Sequence, residues 1–431
     1  MTIDTSRRTF LGVTTALSLT GLAARAAAAS EPGIEADLHR YVGFGSKRAG
    51  GPGDMACGEW LATELHNAGY AIERQKFAVP YFETTRADLT CGTSSAKVLP
   101  QPIVIPTGEQ GVSGPLVRVD SRGRFMGSMR GAIAFVDLPA ARWSSMMAKA
   151  ARQPVDSAFA AGAKAAVVIT NGPTGKVIAL NADGRRPMFP GPVALLAPSD
   201  ADDFLAAAIC RGTAQLTITG EGGQRPAFNF VGRIDRGKGR WLVVSTPRSG
   251  WFVCAAERGP GVAAWLDLAR WARDGLPDHD LAFICNTGHE YEYLGAAEAM
   301  KQIAPPADKT RFWLHLGANV AACDWHDIGG LTPLPSVDGQ RYLSVTPALL
   351  PLSRGIFAGQ PGFEAPVSSQ ILSAGELDEV IKAGYSPAAG VFGIHTYHHV
   401  SDDDERCLHV PATLAAKRGF RAMLEAMARG A

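Results

Sequence analysis

The stretch Leu281-Ala282-Phe283-Ile284-Cys285, followed at once by Asn286-Thr287-Gly288-His289-Glu290-Tyr291-Glu292-Tyr293-Leu294-Gly295, constrains the fold more than any other part of this chain. Five consecutive apolar residues offer no face to water, so they read as a strand covered on both sides, as in a parallel sheet. Ala296 to Met300 has the composition of a helix. A polar loop between a buried strand and a helix lies where open α/β sheets bind their ligands. His289 and Glu290 are therefore candidates for chemistry, with a solvent-facing polar loop as the alternative.

At 431 residues the chain has room for one large domain and a smaller one. A formal charge of +1 gives no sign of a nucleic-acid or membrane-surface partner. At the N-terminus, Ser6-Arg7-Arg8-Thr9-Phe10-Leu11-Gly12 reads as a twin-arginine export signal. An apolar stretch from Val13 to Leu22 and a small-residue site at Ala27-Ala28-Ala29 follow it. Residues 1–29 are thus expected to be removed and the mature protein to be periplasmic or secreted. The apolar stretch is too short to span a membrane, and no transmembrane segment is expected. Seven scattered cysteines without a C-x-x-C indicate neither a disulfide framework nor a thiolate zinc site.

Three further segments follow. In residues 30–97, Asp54 is placed to cap a helix through Trp60, Leu61 and Leu65 that ends at Gly69, and Tyr70 to Phe77 alternates as a strand. Residues 98–224 carry short β segments at 114–120, 131–137, 165–171 and 192–196, with helices ending near Ala163 and running through Phe204. Residues 225–431 return to a larger α/β pattern. Strands at 229–234 and 240–245 flank a Gly-Lys-Gly turn, Pro260 opens a helix over 261–273, and a buried strand centres on Trp313. Residues 331–370 read as a surface excursion, 389–394 as a strand entering His395-Thr396-Tyr397-His398-His399, and Pro411 as the start of the last helix.

The segment Ala161-Gly162-Ala163-Lys164-Ala165 between helix and strand resembles a protease-associated domain. The order of elements around it, with Asn229-Phe230-Val231-Gly232-Arg233-Ile234, Thr287-Gly288-His289-Glu290 and Tyr397-His398-His399-Val400-Ser401-Asp402, resembles the co-catalytic zinc aminopeptidases. That family includes bacterial leucyl aminopeptidases, glutamate carboxypeptidase and the transferrin-receptor ectodomain. The resemblance implies a mostly parallel mixed sheet flanked by helices, a three-layer sandwich carrying the inserted small domain.

The family holds two zinc ions with five side chains, and this sequence departs from that set. The positions of one metal's private ligands fall on Thr246 and Gly317, neither a usable ligand. The other metal's positions fall on Glu257, Glu290 and His398, all able to coordinate one zinc and leave a position open. The family's general base falls on His289, whose imidazole titrates near neutrality. Arg248, or Arg258, would supply positive charge where the second ion is missing, to hold a carboxylate or an oxyanion. The resemblance thus implies a hydrolase of peptide or related amide bonds using a single metal ion. Two alternatives stay open: a metal-free binding or scaffolding protein on the same fold, and a metal-independent enzyme with a rebuilt site. Glu257 beside Arg258 also reads as a plain ion pair, and His315, His326 and His395 read as structural histidines.

Overall fold

A computed structural model describes residues 32–430; the expected export signal lies outside them. The helices are α1 (Pro32–Gly43), α2 (Pro52–Asn67), α3 (Lys149–Ala160), α4 (Asp202–Ile209), α5 (Ala255–Gly275), α6 (Leu294–Gln302), α7 (Leu350–Ile356), α8 (Leu377–Lys382) and α9 (Val410–Arg429). The strands run from β1 (Ala71–Cys91), β2 (Ser94–Lys97), β3 (Leu99–Pro100) and β4 (Val112–Val119) through β5 (Ile133–Asp137), β6 (Ala165–Ile169), β7 (Val193–Leu196) and β8 (Thr213–Ile234). They continue with β9 (Trp241–Pro247), β10 (Asp280–Asn286), β11 (Thr310–Leu316), β12 (Cys323–His326), β13 (Thr332–Val337), β14 (Arg341–Val345), β15 (Val367–Ser368) and β16 (Ala388–Gly393).

Fourteen strands form one mixed sheet in the order β15-β14-β16-β11-β9-β10-β8-β4-β5-β6-β7-β3, with β1 and β2 attached through β8. Its centre explains the apolar runs. β10 pairs parallel to β9, β9 to β11, and β11 to β16, and period-2 alternation sends neighbouring residues to opposite faces. Leu242, Val244, Phe283 and Leu314 pack on one side against Val262, Trp265 and Leu266 of α5. Val243, Ile284 and Trp313 pack on the other against Ala299 of α6 and Leu377 and Val380 of α8. Both faces are covered, so no polar face was required, and three layers result.

The strands at 229–234 and 241–247 do not form a hairpin, because β10 lies between them, antiparallel to β8 and parallel to β9. β1 and β8 are a single long antiparallel ribbon, from Ala71↔Arg233 to Cys91↔Ala214. It carries the sheet without a break from the body into the segment between them. There β4 to β7 are parallel and sandwiched, with Ala151, Val155 and Ala158 of α3 on one face. Phe204 and Ala208 of α4 cover the other. The boundary expected at residue 224 therefore falls inside β8. Residues 331–370 are not all surface excursion either, since β14 joins the sheet antiparallel to β16 and buries Arg341.

Two helix starts also differ from expectation. α2 is preceded by Gly51, not capped by Asp54; the Asp54 carboxylate instead accepts from the Gly50 N–H at 2.8 Å. α5 begins five residues before Pro260, which places Glu257 and Arg258 in its first turn. No helix among the described residues is long and apolar enough to cross a membrane.

Candidate active site

The C-terminal ends of β9, β10, β11 and β16 point the same way, and the four loops that leave them converge. Open α/β sheets bind ligands at this edge. Backbone strain marks the same place. Six non-glycine residues among those described have positive φ, and five lie in these loops: Cys254 (54°), Glu292 (48°), Tyr293 (63°), Asn319 (54°) and His399 (58°). Such conformations cost free energy and persist where the surrounding structure imposes them, typically at functional sites.

The buried start of α5 is organised by Asp403, from the loop after β16. Its two carboxylate oxygens accept the N–H groups of Ala256 (2.9 Å) and Glu257 (3.0 Å), and its backbone carbonyl accepts that of Ala255 (3.2 Å). A carboxylate at a helix N-terminus satisfies donors the helix cannot and opposes its dipole. Asp403 thereby fixes Glu257 in place. One ligand atom each of Glu257, His398 and His399 lie within 4.8 Å of one another, all three residues buried.

The two histidines are held from the segment between β1 and β8. The His399 Nδ1–H donates to the Ala179 carbonyl (2.9 Å). Its Nε2 lies 3.3 Å from Glu257 Oε1. His398 Nε2 meets Ser144 Oγ at 3.3 Å, while its Nδ1 and both Glu257 oxygens have no hydrogen-bond partner. Arg258 Nη2 lies 2.8 Å from Glu257 Oε1. Burial opposes ionisation of Glu257, but Arg258 and then His399 outweigh it and hold the carboxyl well below its usual range. Burial, reinforced by His399, keeps His398 neutral, the form in which imidazole is a ligand. A carboxylate and two imidazoles, each imidazole held on its other nitrogen, are a donor set suited to zinc. These residues fit such an ion.

His289 lies beside this group. Its Nδ1 is 3.2 Å from Oε1 of Glu376, which precedes α8, and Asn286 Nδ2 donates to the other Glu376 oxygen at 2.9 Å. Donation from Nδ1–H leaves Nε2 unprotonated, the tautomer a base needs. Burial, and then Arg258, keep the ring neutral well below the ordinary histidine range. Glu376 carried no signal in the sequence; it sits in a loop without a motif, and only the fold brings it to His289.

His315 completes the buried polar floor. Its Nδ1 is 2.9 Å from Ser245 Oγ, which also receives the Trp313 indole N–H at 2.8 Å. Burial lowers its pKa to about 4. A histidine depressed in the folded state costs nothing above the unfolded value near 6.5; below it, only the unfolded chain takes up the proton. Stability attributable to His315 should therefore fall by about 1.4 kcal/mol per pH unit from about pH 6.5 towards pH 4. Urea melts of wild type and His315→Asn at pH 7 and 5 check this; equal pH dependence in the two proteins would contradict it.

Other expected site residues are placed differently. Both oxygens of Glu290 are engaged, Oε1 by the Ala49 N–H and Oε2 by Ser249 Oγ, each at 2.7 Å. Ser249 Oγ in turn accepts the N–H groups of Gly288 and His289. Glu290 thus ties the loops together and is not in the cluster; His399 stands there instead. Arg248, expected as a substrate contact, is also placed apart from the cluster. It is fully buried, paired with Asp54 Oδ1 at 2.9 Å and donating to the Phe228 carbonyl at 2.8 Å. The guanidinium beside Glu257 belongs to Arg258.

The two positions at which the resemblance puts another metal's ligands make other contacts. Thr246 Oγ1 donates to the Leu316 carbonyl at 2.8 Å. A Cβ on Gly317 would sit 2.3 Å from the Val391 carbonyl oxygen, so no aspartate fits there on this backbone. Of the remaining histidines, His395 lies against Asp403 (3.4 Å), and His326 accepts the Ile328 N–H at 3.3 Å.

Solved structures share this architecture. A peptidase M28 precursor from Shewanella amazonensis matches with a TM-score of 0.72 and 17% identity, over 95% of this chain and 96% of that one. The zinc aminopeptidase of Bacillus subtilis matches at 0.69 and 17%, over 91% and 93%. The chain has the zinc aminopeptidase fold. An aminopeptidase from Aneurinibacillus sp. strain AM-1 matches this fold as well, at 0.64 and 16%, over 90% and 93%. No protein-family model matches the sequence, and a sequence search of curated proteins finds no match. Within the aminopeptidase fold, the strand-end loops of this chain carry one candidate cluster of metal ligands among the described residues.

Proposed function

We propose that this chain is an exported, metal-dependent hydrolase of peptide or related amide bonds, with one ion, most simply zinc, held by Glu257, His398 and His399. The observation that carries it is the approach of His399 Nε2 to Glu257 Oε1 at 3.3 Å while the Nδ1 proton is committed to Ala179. Glu257 and the two imidazoles thus bring three potential ligand atoms to one buried point, which a bound cation would satisfy, and His398 Nδ1 has no other partner. A bound divalent ion would polarise the scissile carbonyl and the attacking water. His289, oriented by Glu376, accepts the proton of that water and returns one to the leaving amine. Arg258 balances Glu257 and keeps positive charge at the site. The inserted segment, read as a protease-associated domain, supplies the Ala179 and Ser144 contacts that orient the two ligands.

The test is a panel of aminoacyl p-nitroanilides and dipeptides, assayed before and after chelation and after return of zinc. Activity that disappears on chelation and returns with zinc supports the reading. Activity indifferent to chelation points to a second reading, favoured by the Arg258–Glu257 pair at 2.8 Å: an arginine in the place of metal charge. Glu376→Gln is expected to lower kcat by about a hundredfold at unchanged KM, since correct protonation of a general base contributes on the order of 10²–10⁴. An unchanged kcat would remove His289 from the role of base.

A further inference from the structure

Ala179, whose carbonyl holds His399, also lines a cleft between the β1–β8 ribbon, the segment between those two strands and the loops after β9 and β10. It is partly open to solvent. Trp251 and Tyr291 line it, meeting edge to face with centroids 5.8 Å apart. Leu99, Ile103, Leu180 and Leu195 add aliphatic wall. None of Glu257, His289, His398 or His399 lines it.

Its two arginines are not equivalent. Arg225 is committed: it donates to the Ala49 carbonyl (2.8 Å), pairs with Glu83 (3.0 Å) and lies over the Tyr81 ring. Arg48 uses only Nε, donating to the Trp251 carbonyl at 3.2 Å, and has no acidic partner among the described residues. A half-buried guanidinium with its terminal nitrogens uncommitted, at the edge of an aromatic and aliphatic cleft, matches one ligand chemistry: an apolar tail ending in a carboxylate.

We propose that this cleft is a second ligand site, separate from the metal centre, for an apolar monocarboxylate whose carboxylate pairs with Arg48. Octanoate is the probe, titrated calorimetrically into the full-length mature protein, with octan-1-ol and octylamine as controls. Octanoate should bind more tightly than either control. Arg48→Gln should weaken octanoate about tenfold, the loss expected for a hydrogen bond to a charged group, without changing octanol binding. Ile103→Trp, which fills the cleft from a partly exposed position, should abolish binding while the thermal melt stays cooperative. His398→Ala should bind octanoate as wild type does, which separates this site from a carboxylate coordinating the proposed metal. No binding, equal affinity for octanol, equal affinity in Arg48→Gln, or loss in His398→Ala would each overturn the proposal.

Discussion

His398→Ala and His399→Ala proteins should each contain no zinc after purification and dialysis, where the wild type contains about one ion per chain, and neither should hydrolyse an amide that the wild type cleaves. Each variant leaves two protein ligands, one fewer than the three that catalytic zinc ordinarily keeps. The informative companion is Glu290→Gln. Its carboxylate is spent on Ala49 and Ser249, so this variant should keep its metal while losing stability. Elemental analysis of the four proteins decides the ligand set. Metal lost from Glu290→Gln but kept in His399→Ala would restore Glu290 as the third ligand. Metal absent from all four, even after incubation with zinc, would end the metallohydrolase reading.

The second large effect concerns Arg248. Asp54 Oδ1 lies 2.9 Å from its Nε, and both side chains are fully buried. Burial raises the Asp54 pKa and Arg248 opposes that rise, so each ion depends on the other. Removing one partner of a buried pair leaves a charge without compensation, at a cost of about 3–5 kcal/mol. Asp54→Ala should lower the free energy of unfolding by that amount in urea. Asp54→Ala combined with Arg248→Met should recover much of the loss, because the uncompensated ion is gone. Equal or additive losses in the double variant would show that Asp54 acts through its bonds to Gly50 and Thr287 instead.

The layered fold was legible because burial on both faces writes itself into consecutive apolar residues. Leu281 to Cys285 and Leu242 to Val244 could serve only a covered sheet, and the loop between strand and helix located the site edge. Glu257, His398 and His289 were nominated through the family resemblance, and the fold brings them to the same strand-end loops. His399 was not singled out, since its approach to Glu257 needs the positive φ of its backbone and the Ala179 carbonyl that holds its ring. Placing α5 from Pro260 hid the first-turn position of Glu257 and Arg258. That earlier start depends on the Asp403 carboxylate, 146 residues from Glu257 in sequence.

Sequence by itself determined which segments are buried and at which edge of the sheet the polar loops gather. Tertiary structure alone decided that Arg248 pairs with Asp54, that Glu290 braces loops, and that Glu376 contacts His289. The reason is physical. Apolar periodicity is a local property of the chain, whereas the direction of a buried charge is set by whichever distant partner compensates it.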